Sequence, residues 1–589
     1  MTTQESTLAR SGAPRERRTI LAPGVVPALL LLTIGLAIPV GLFFVYGFWR
    51  QDIFGLVHAW DLHQYSTAIG DSFYRSLLLR TIWIGLLVGF VCVPVAYLTA
   101  YGITFGLRRG RNAVMFAIVI SMLTSYLVRI YAWKLILGPQ GVINTALEKI
   151  GLIDEPLAFL LFGRFAVVIT LVHILLPFAV LPIFASMQSV DHETLRASRD
   201  LGAGPIVTFL RVTLPQTAHG AAVAFLFVFI LAAGDYVTPQ LVGGQGGIMI
   251  GRVIYDQFGI TQDWPLASAL AFTLVAAFAV AVLMLRLGVW ALGKAVHPSR
   301  LRSLRRPLLP LRVSARVRRV PWSRVSIAIV LLFLFLPLVV VIVFSFNDSP
   351  IAAFPLRGPT GRWYAEALSD SNFRSAFLTS IQLAIGVSIL AIAIGVPAGF
   401  ALVRRKFVLN PITSTLLVLP LAIPGIILGF SILSMTRIVG TKPGIIPAGL
   451  GQLTLLLPFV VLVTVARLRD FDTPVEEAGR DLGCGPTKVL RKITLPIIAP
   501  TVISAAILVF ALSMDEFIVT LYTIGGDTTL PILIWGLMQR RGITPAVNAI
   551  ATMLLGVSFA ALAIGAVFVW VRERNTRVQS LVRGLGTDL

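Results

Sequence analysis

Arg199 to Pro215 reads RDLGAGPIVTFLRVTLP, and Arg480 to Pro496 reads RDLGCGPTKVLRKITLP. Nine of the seventeen positions are identical, at a constant offset of 281. Each copy is a polar, charged island between long apolar stretches. A chain that builds the same polar loop twice, once per half, is expected to present both loops to the same kind of partner.

The local chemistry of the loop reads as two short helices and a hinge. Residues 191–201 have helical character, and Gly202 supplies the left-handed backbone position that ends a helix. Gly204 lets the chain turn, and Pro205 suits the first position of a second helix, where its missing N–H costs nothing. Leu214-Pro215 closes that element and starts the next apolar stretch. Gly483, Gly485, Pro486 and Pro496 repeat the pattern.

Around these loops the chain is 57% apolar and only 13% charged, far from the balance of a soluble globular protein. Stretches of about 20 apolar residues recur, each long enough to cross a hydrocarbon layer of about 30 Å. Twelve are expected, at 21–48, 76–101, 112–137, 165–187, 219–241 and 266–290, then 325–347, 375–402, 411–436, 451–466, 497–523 and 548–571. The tenth is the shortest. The fold class is therefore all-α, a polytopic membrane protein.

The net charge of +22 follows the span order. Arg10, Arg15, Arg17 and Arg18 precede the first span, and Arg108, Arg109 and Arg111 follow the second. Residues 291–324 hold ten Lys or Arg and no acid. Arg404, Arg405 and Lys406 follow the eighth span, and Arg572, Arg574 and Arg577 the twelfth. All these clusters fall on one side if the spans alternate, so positive-inside sorting accounts for the charge without a nucleic-acid partner. Both termini and both repeated loops are then cytoplasmic. Cys92 and Cys484 are too far apart in this plan to bond, and six scattered histidines have no metal-ligand spacing. No catalytic, cofactor or metal site is expected.

The repeat extends beyond the loop. Leu176-Pro177-Phe178 matches Leu457-Pro458-Phe459 at the offset of 281, while Arg75-Ser76 and Val93-Pro94 match Arg374-Ser375 and Val396-Pro397 at offsets of 299 and 303. A six-span unit occurs twice in the same orientation, as two parallel repeats. The expected divisions are a tail at 1–20, a first membrane domain at 21–290, a basic linker at 291–324, a second membrane domain at 325–571 and a tail at 572–589. The linker reads as a solvated joint beside anionic lipid headgroups. Gly85-x-x-x-Gly89 and Gly395-x-x-x-Gly399 have the spacing of close helix contacts, although 50 glycines produce such spacings by chance.

With these residues in view, the loop resembles the EAA loop of ATP-binding-cassette (ABC) importer permeases. Glu477, Ala478, Asp481, Gly483 and Leu495-Pro496 carry the likeness in the second copy. The first copy keeps Ala197, Asp200 and Gly202 but has Arg196 where the Glu is expected and Ser198 in place of Ala. The resemblance implies a type I importer permease whose coupling helices, Pro205 and Pro486 included, dock on a homodimeric cytoplasmic ATPase. It also implies a periplasmic or lipid-anchored solute-binding protein and a bacterial inner membrane location. Gly288-x-x-x-x-Gly293-Lys294 imitates the start of a phosphate-binding loop but continues with Ala295 and follows an apolar span, so the ATPase is expected on another chain. A twelve-span facilitator is the alternative class. Arg108-Arg109-Gly110-Arg111 only faintly echoes that family's loop, which leaves the duplicated RDLG phrase unexplained.

Asp235 and Asp515 lie about 30 Å above Pro215 and Pro496 if the fifth and eleventh spans are continuous helices. Carboxylates in apolar spans usually face a polar path or a partner. With Glu516 and the aromatic residues Tyr131, Trp133 and Tyr236, they would suit a linear cation. Arg129, about 26 Å above Asn112 by the same counting, is a structural partner for Asp235 under the alternative reading. The first half resembles the B-type permease of spermidine/putrescine importers through residues 125–133 (SYLVRIYAW) and 234–239 (GDYVTP). The second half is similar to the C-type partner through residues 421–424 (LAIP) and Asp515-Glu516-Phe517. The resemblance implies a polyamine or related cationic amine as cargo, with ferric iron, thiamine, opines or aminophosphonates as alternatives on the same scaffold.

Overall fold

The computed structural model describes residues 20–53, 55–107, 109–295, 322–350, 352, 356–405, 407–471, 473–541 and 544–585. The tail through residue 19, the linker from 296 to 321 and the last four residues lie outside the described residues. So do Arg108 and Lys406, which belong to the basic clusters noted above.

In the first half the chain forms α1 (Pro23–Tyr46), α2 (Ser72–Gly106), α3 (Arg111–Met122), α4 (Tyr126–Leu137), α5 (Arg164–Gln188), α6 (His192–Asp200), α7 (Leu214–Ala233), α8 (Val237–Val242), α9 (Ile250–Gly259) and α10 (Trp264–Ala295). A two-stranded antiparallel hairpin, β1 (Arg50–Asp52) and β2 (Gly55–Val57), joins α1 to α2. The second half repeats the order with α11 (Trp322–Ser345), α12 (Ser371–Arg404), α13 (Asn410–Val418), α14 (Gly425–Val439), α15 (Ile445–Arg469), α16 (Thr473–Asp481), α17 (Leu495–Asp515), α18 (Ile518–Thr523), α19 (Leu530–Arg541) and α20 (Pro545–Leu585). Short connecting elements separate some of these.

Among the described residues, ten helical segments are long and apolar enough to cross a membrane, and two bent pairs raise the count to twelve. The third and ninth spans are thus corrected from straight rods to broken ones, bent by 89° and 99°. At the second break Ile423 is extended (φ −96°, ψ 125°), the conformation that a following proline favours, and Pro424 caps α14. At the first break Ser125 has ψ 127°, and no proline is involved. The fifth and eleventh spans are corrected too: α7 stops at Ala233 and α17 at Asp515, so the acids sit at helix breaks. The tenth span, expected to be short, is a full 25-residue helix at Ile445–Arg469.

Each half is built on a triangle of mutually packed helices, α2, α5 and α7 in the first and α12, α15 and α17 in the second. Gly85 abuts Phe229 and Ala233 of α7, and Gly395 abuts Leu457 and Val460 of α15, so both small-residue pairs serve these contacts. The halves also exchange their first helices. Helix α1 packs on α12 and α14, and α11 packs on α2 and α4. The crossing is close: a Cβ on Gly24 of α1 would lie 2.8 Å from the Pro397 carbonyl oxygen of α12.

Candidate functional site

The two repeated loops adopt the same local fold. Gly202 and Gly483 have φ of +79° and +80°, the left-handed conformation that a side chain resists. Pro205 and Pro486 begin the short helices that follow. These helices do not close at Leu214 and Leu495 as the sequence led us to expect. Each widens into a single π-turn, Phe209–Thr213 and Leu490–Thr494, and runs on into α7 or α17. Pro215 and Pro496 explain the widening, since a proline ring clashes with the carbonyl four residues earlier in a regular helix. The loop and the span behind it therefore form one continuous lever.

Arg196, Ala197 and Asp200 are exposed on α6, and Glu477, Ala478 and Asp481 on α16. Leu201 and Leu482 at the tips are 88% and 86% exposed. The buried faces differ. Helix α6 buries Leu195, whereas α16 buries Glu476 at the same offset of 281. Glu476 accepts a hydrogen bond from Thr494 Oγ1 at 2.8 Å and pairs with Arg404 Nε of α12 at 3.3 Å. The Arg404 guanidinium also lies 5.4 Å from the Phe471 ring centre. Glu476 went unnoticed in the sequence beside Glu477, since only the packing reveals which of two adjacent acids faces inward.

The acids converge at the broken third span. Asp235 caps α8, accepting from Val237 N at 2.9 Å and Thr238 Oγ1 at 2.5 Å. Glu516 caps α18, accepting from Val519 N at 2.8 Å and Thr520 N at 2.9 Å. Asp515 reaches across to the first half and caps α4, where Tyr126 N donates to its two oxygens at 3.0 and 2.8 Å. The Tyr126 hydroxyl in turn donates to Asp235 at 2.5 Å. One tyrosine thus joins the two aspartates, and the positive end of each short helix faces a carboxylate. Gln452 of α15 extends the network, donating to Thr520 Oγ1 at 2.8 Å and accepting from Ser513 Oγ.

Arg129, one turn along α4, is buried and donates to the Ile174 carbonyl at 3.3 Å. No carboxylate forms an ion pair with it among the described residues. The alternative pairing of Asp235 with Arg129 is corrected: Asp235 is bound by Tyr126, Val237 and Thr238, and no Arg129–Asp235 ion pair occurs among the described residues. Two of the aromatic residues also lie elsewhere. The Tyr131 hydroxyl donates to the Thr544 carbonyl, and Trp133 packs edge-on against His173. Helical phase explains Tyr131, which lies off the face of α4 that residues 126, 129 and 133 share, while Trp133 sits on that face but about two turns beyond Tyr126. Tyr126 and Gln452 were missed because their partners are distant in the chain.

Tyr236 does remain beside the acids. It stacks on Tyr255 with ring centres 5.5 Å apart and lies 6.4 Å from Tyr522. Both of those rings line a cavity of about 380 Å³ between the halves, bordered also by Phe258, Trp264, Phe430 and Arg437. The cavity lies at the ends of α9, α14 and α18, and chain alternation puts it on the face opposite the repeated loops.

The family described as the binding-protein-dependent transport system inner membrane component matches residues 82–298 and 391–574. The chain belongs to this family. It carries the domain twice, and it is the multi-pass inner-membrane permease of an ABC importer. Among its relatives, the spermidine/putrescine transport system permease protein PotB of Escherichia coli K12 is 34% identical over 225 residues, covering 38% of this chain and 81% of PotB. The putrescine transport system permease protein PotI of the same organism is 32% identical over 276 residues, covering 45% of this chain and 96% of PotI. A solved bacterial ABC transporter involved in the import of the acidic polysaccharide alginate aligns with 44% of this chain and 91% of its own, at 20% identity and a TM-score of 0.37.

Proposed function

We propose that this permease carries a polyamine or a related cationic amine, received from a solute-binding protein and driven by a separate homodimeric ATPase beneath the two repeated loops. One observation carries the cargo reading. Three carboxylates, the buried Asp235 and the half-buried Asp515 and Glu516, gather at the helix breaks near one buried guanidinium, Arg129, behind an aromatic cavity between the halves. Ring faces and excess negative charge are the chemistry that recognises an alkylammonium chain. The naming of PotB and PotI for polyamine transport supports the same cargo. Positive-inside sorting places the loops and both termini in the cytoplasm. On this reading residues 21–290 and 325–571 are the two membrane domains, joined by the 291–324 linker.

Proteoliposomes holding the full chain, its ATPase and its receptor test this proposal. ATP-dependent uptake of spermidine or putrescine is expected, with no ATP turnover by the purified chain alone. Turnover without a partner, or uptake confined to anionic or neutral solutes, would overturn it.

The loops supply a second test. Gly202→Val or Gly483→Val forces a β-branched side chain into the left-handed region, at a cost of about 1–2 kcal/mol or more. That misdirects an exposed tip rather than a core, so expression is expected to hold while ATP-driven uptake falls about tenfold. Unchanged uptake in both variants would remove the hinges from the coupling path.

A further inference from the structure

The aromatic cavity between the halves already holds a cation of its own. The Arg437 guanidinium lies 3.9 Å from the Trp264 ring centre. Phe258 stacks on the same indole at 4.2 Å and 20°, which occupies one face and leaves Arg437 the other. Trp264 is 4% exposed, whereas Arg437, at the last turn of α14, is exposed. Among the described residues no carboxylate forms an ion pair with Arg437. An unpaired guanidinium thus covers the indole face that binds cations best. Behind it the rings continue inward: Phe258 lies 3.7 Å from Phe430, Phe430 4.2 Å from Tyr522, and Tyr522 6.4 Å from Tyr236, the neighbour of Asp235.

We propose that this cavity is an entry subsite for an organic cation, and that Arg437 is an internal competitor for the Trp264 face. The inference rests on the amine reading above. At about 380 Å³ the cavity falls within the range of small-ligand pockets, about 300–1,000 Å³. An arriving ammonium displaces the guanidinium from the indole, and the freed Arg437 then repels the bound cation. Conduction needs sites that bind well enough to admit the cargo and weakly enough to release it. A tethered rival cation meets that need at the mouth, while the acids around Tyr126 attract the cargo from within. Arg437 is a specificity-determining residue in this scheme, and Trp264 is the group that touches substrate.

The test uses the full chain in nanodiscs, titrated calorimetrically with putrescine and with tetramethylammonium, alongside reconstituted uptake. Arg437→Gln is expected to tighten binding of both cations about fivefold and to lower the KM of uptake, with a slower kcat because release is delayed. Arg437→Lys restores the parent behaviour, since an ammonium also competes for the ring. Trp264→Leu weakens binding about fivefold, and adding Arg437→Gln to it has no further effect. Equal tightening by Arg437→Gln with and without Trp264 would overturn the competitor, as would no tightening at all. Amine uptake that is indifferent to Arg437 sinks the subsite and leaves the amine reading standing. Calorimetric binding with the expected pattern, but no amine uptake, sinks the amine reading and leaves the subsite.

Discussion

Arg404→Ala, with Glu476 left in place, is expected to cut ATP-driven uptake about a hundredfold, while Arg404→Tyr combined with Glu476→Leu recovers most of the loss. The side chains of Arg404 and Glu476 are only 16% and 5% exposed, so the single change strands a buried carboxylate. Breaking such a pair commonly costs about 3–5 kcal/mol, and replacing both members with packed apolar groups is often neutral. The first half supplies the template for the double variant. Leu195 occupies the place of Glu476, and Tyr101, at the local offset of 303, occupies that of Arg404. Tyr101 packs edge-on against Phe209 with ring centres 5.5 Å apart, so the first loop is fastened by apolar contact and the second by charge. The measurement is uptake in proteoliposomes, with ATPase binding to the purified variants as a second readout. Equal losses in the single and double variants would show that the charge itself, rather than the stranded acid, matters.

What the sequence makes legible here is what depends on near neighbours. The turn at Gly202 and Gly483 needs only a glycine flanked by a helix and a proline, and the duplication displays it twice. The broken third and ninth spans were hidden because hydropathy is the same on both sides of a bend. Pro424 was visible, yet prolines alone do not mark breaks: Pro94, Pro177, Pro182, Pro397 and Pro458 all lie inside unbroken helices. Ser125 carries no local signal, since the carboxylate that receives the freed Tyr126 N–H lies 389 residues away. Gly85 and Gly89 were visible as a spacing, but only packing distinguishes a used spacing from a chance one. The acids themselves stood out as charges in apolar sequence. Their capping of α8 and α18 was also within reach, because Asp235 and Glu516 each precede a threonine by one helical turn.

Asp515 offers the sharpest separation of scaffold from transport. Its two oxygens receive Tyr126 N, so Asp515→Ala leaves an unsatisfied helix end one turn from the buried Arg129. That variant is expected to assemble poorly, at a cost of about 1–3 kcal/mol. Asp515→Asn is the informative change, because the amide oxygen still accepts from Tyr126 N while the negative charge is gone. Combining it with Arg129→Gln also removes the nearby cation, so the site's net charge is unchanged. Tyr126→Phe supplies the control on the other arm, deleting the bond to Asp235 without touching Asp515. If Asp515 supplies counter-charge to an amine cargo, the Asp515→Asn and Arg129→Gln pair assembles, binds the ATPase normally and still loses uptake tenfold or more, about 1.4 kcal/mol or above. If the carboxylate only caps α4, the neutral pair transports like the parent and the whole defect of Asp515→Ala is one of folding. Thermal stability and ATPase binding separate these outcomes from uptake. Normal polyamine transport by the well-assembled neutral pair would end the counter-charge role of Asp515.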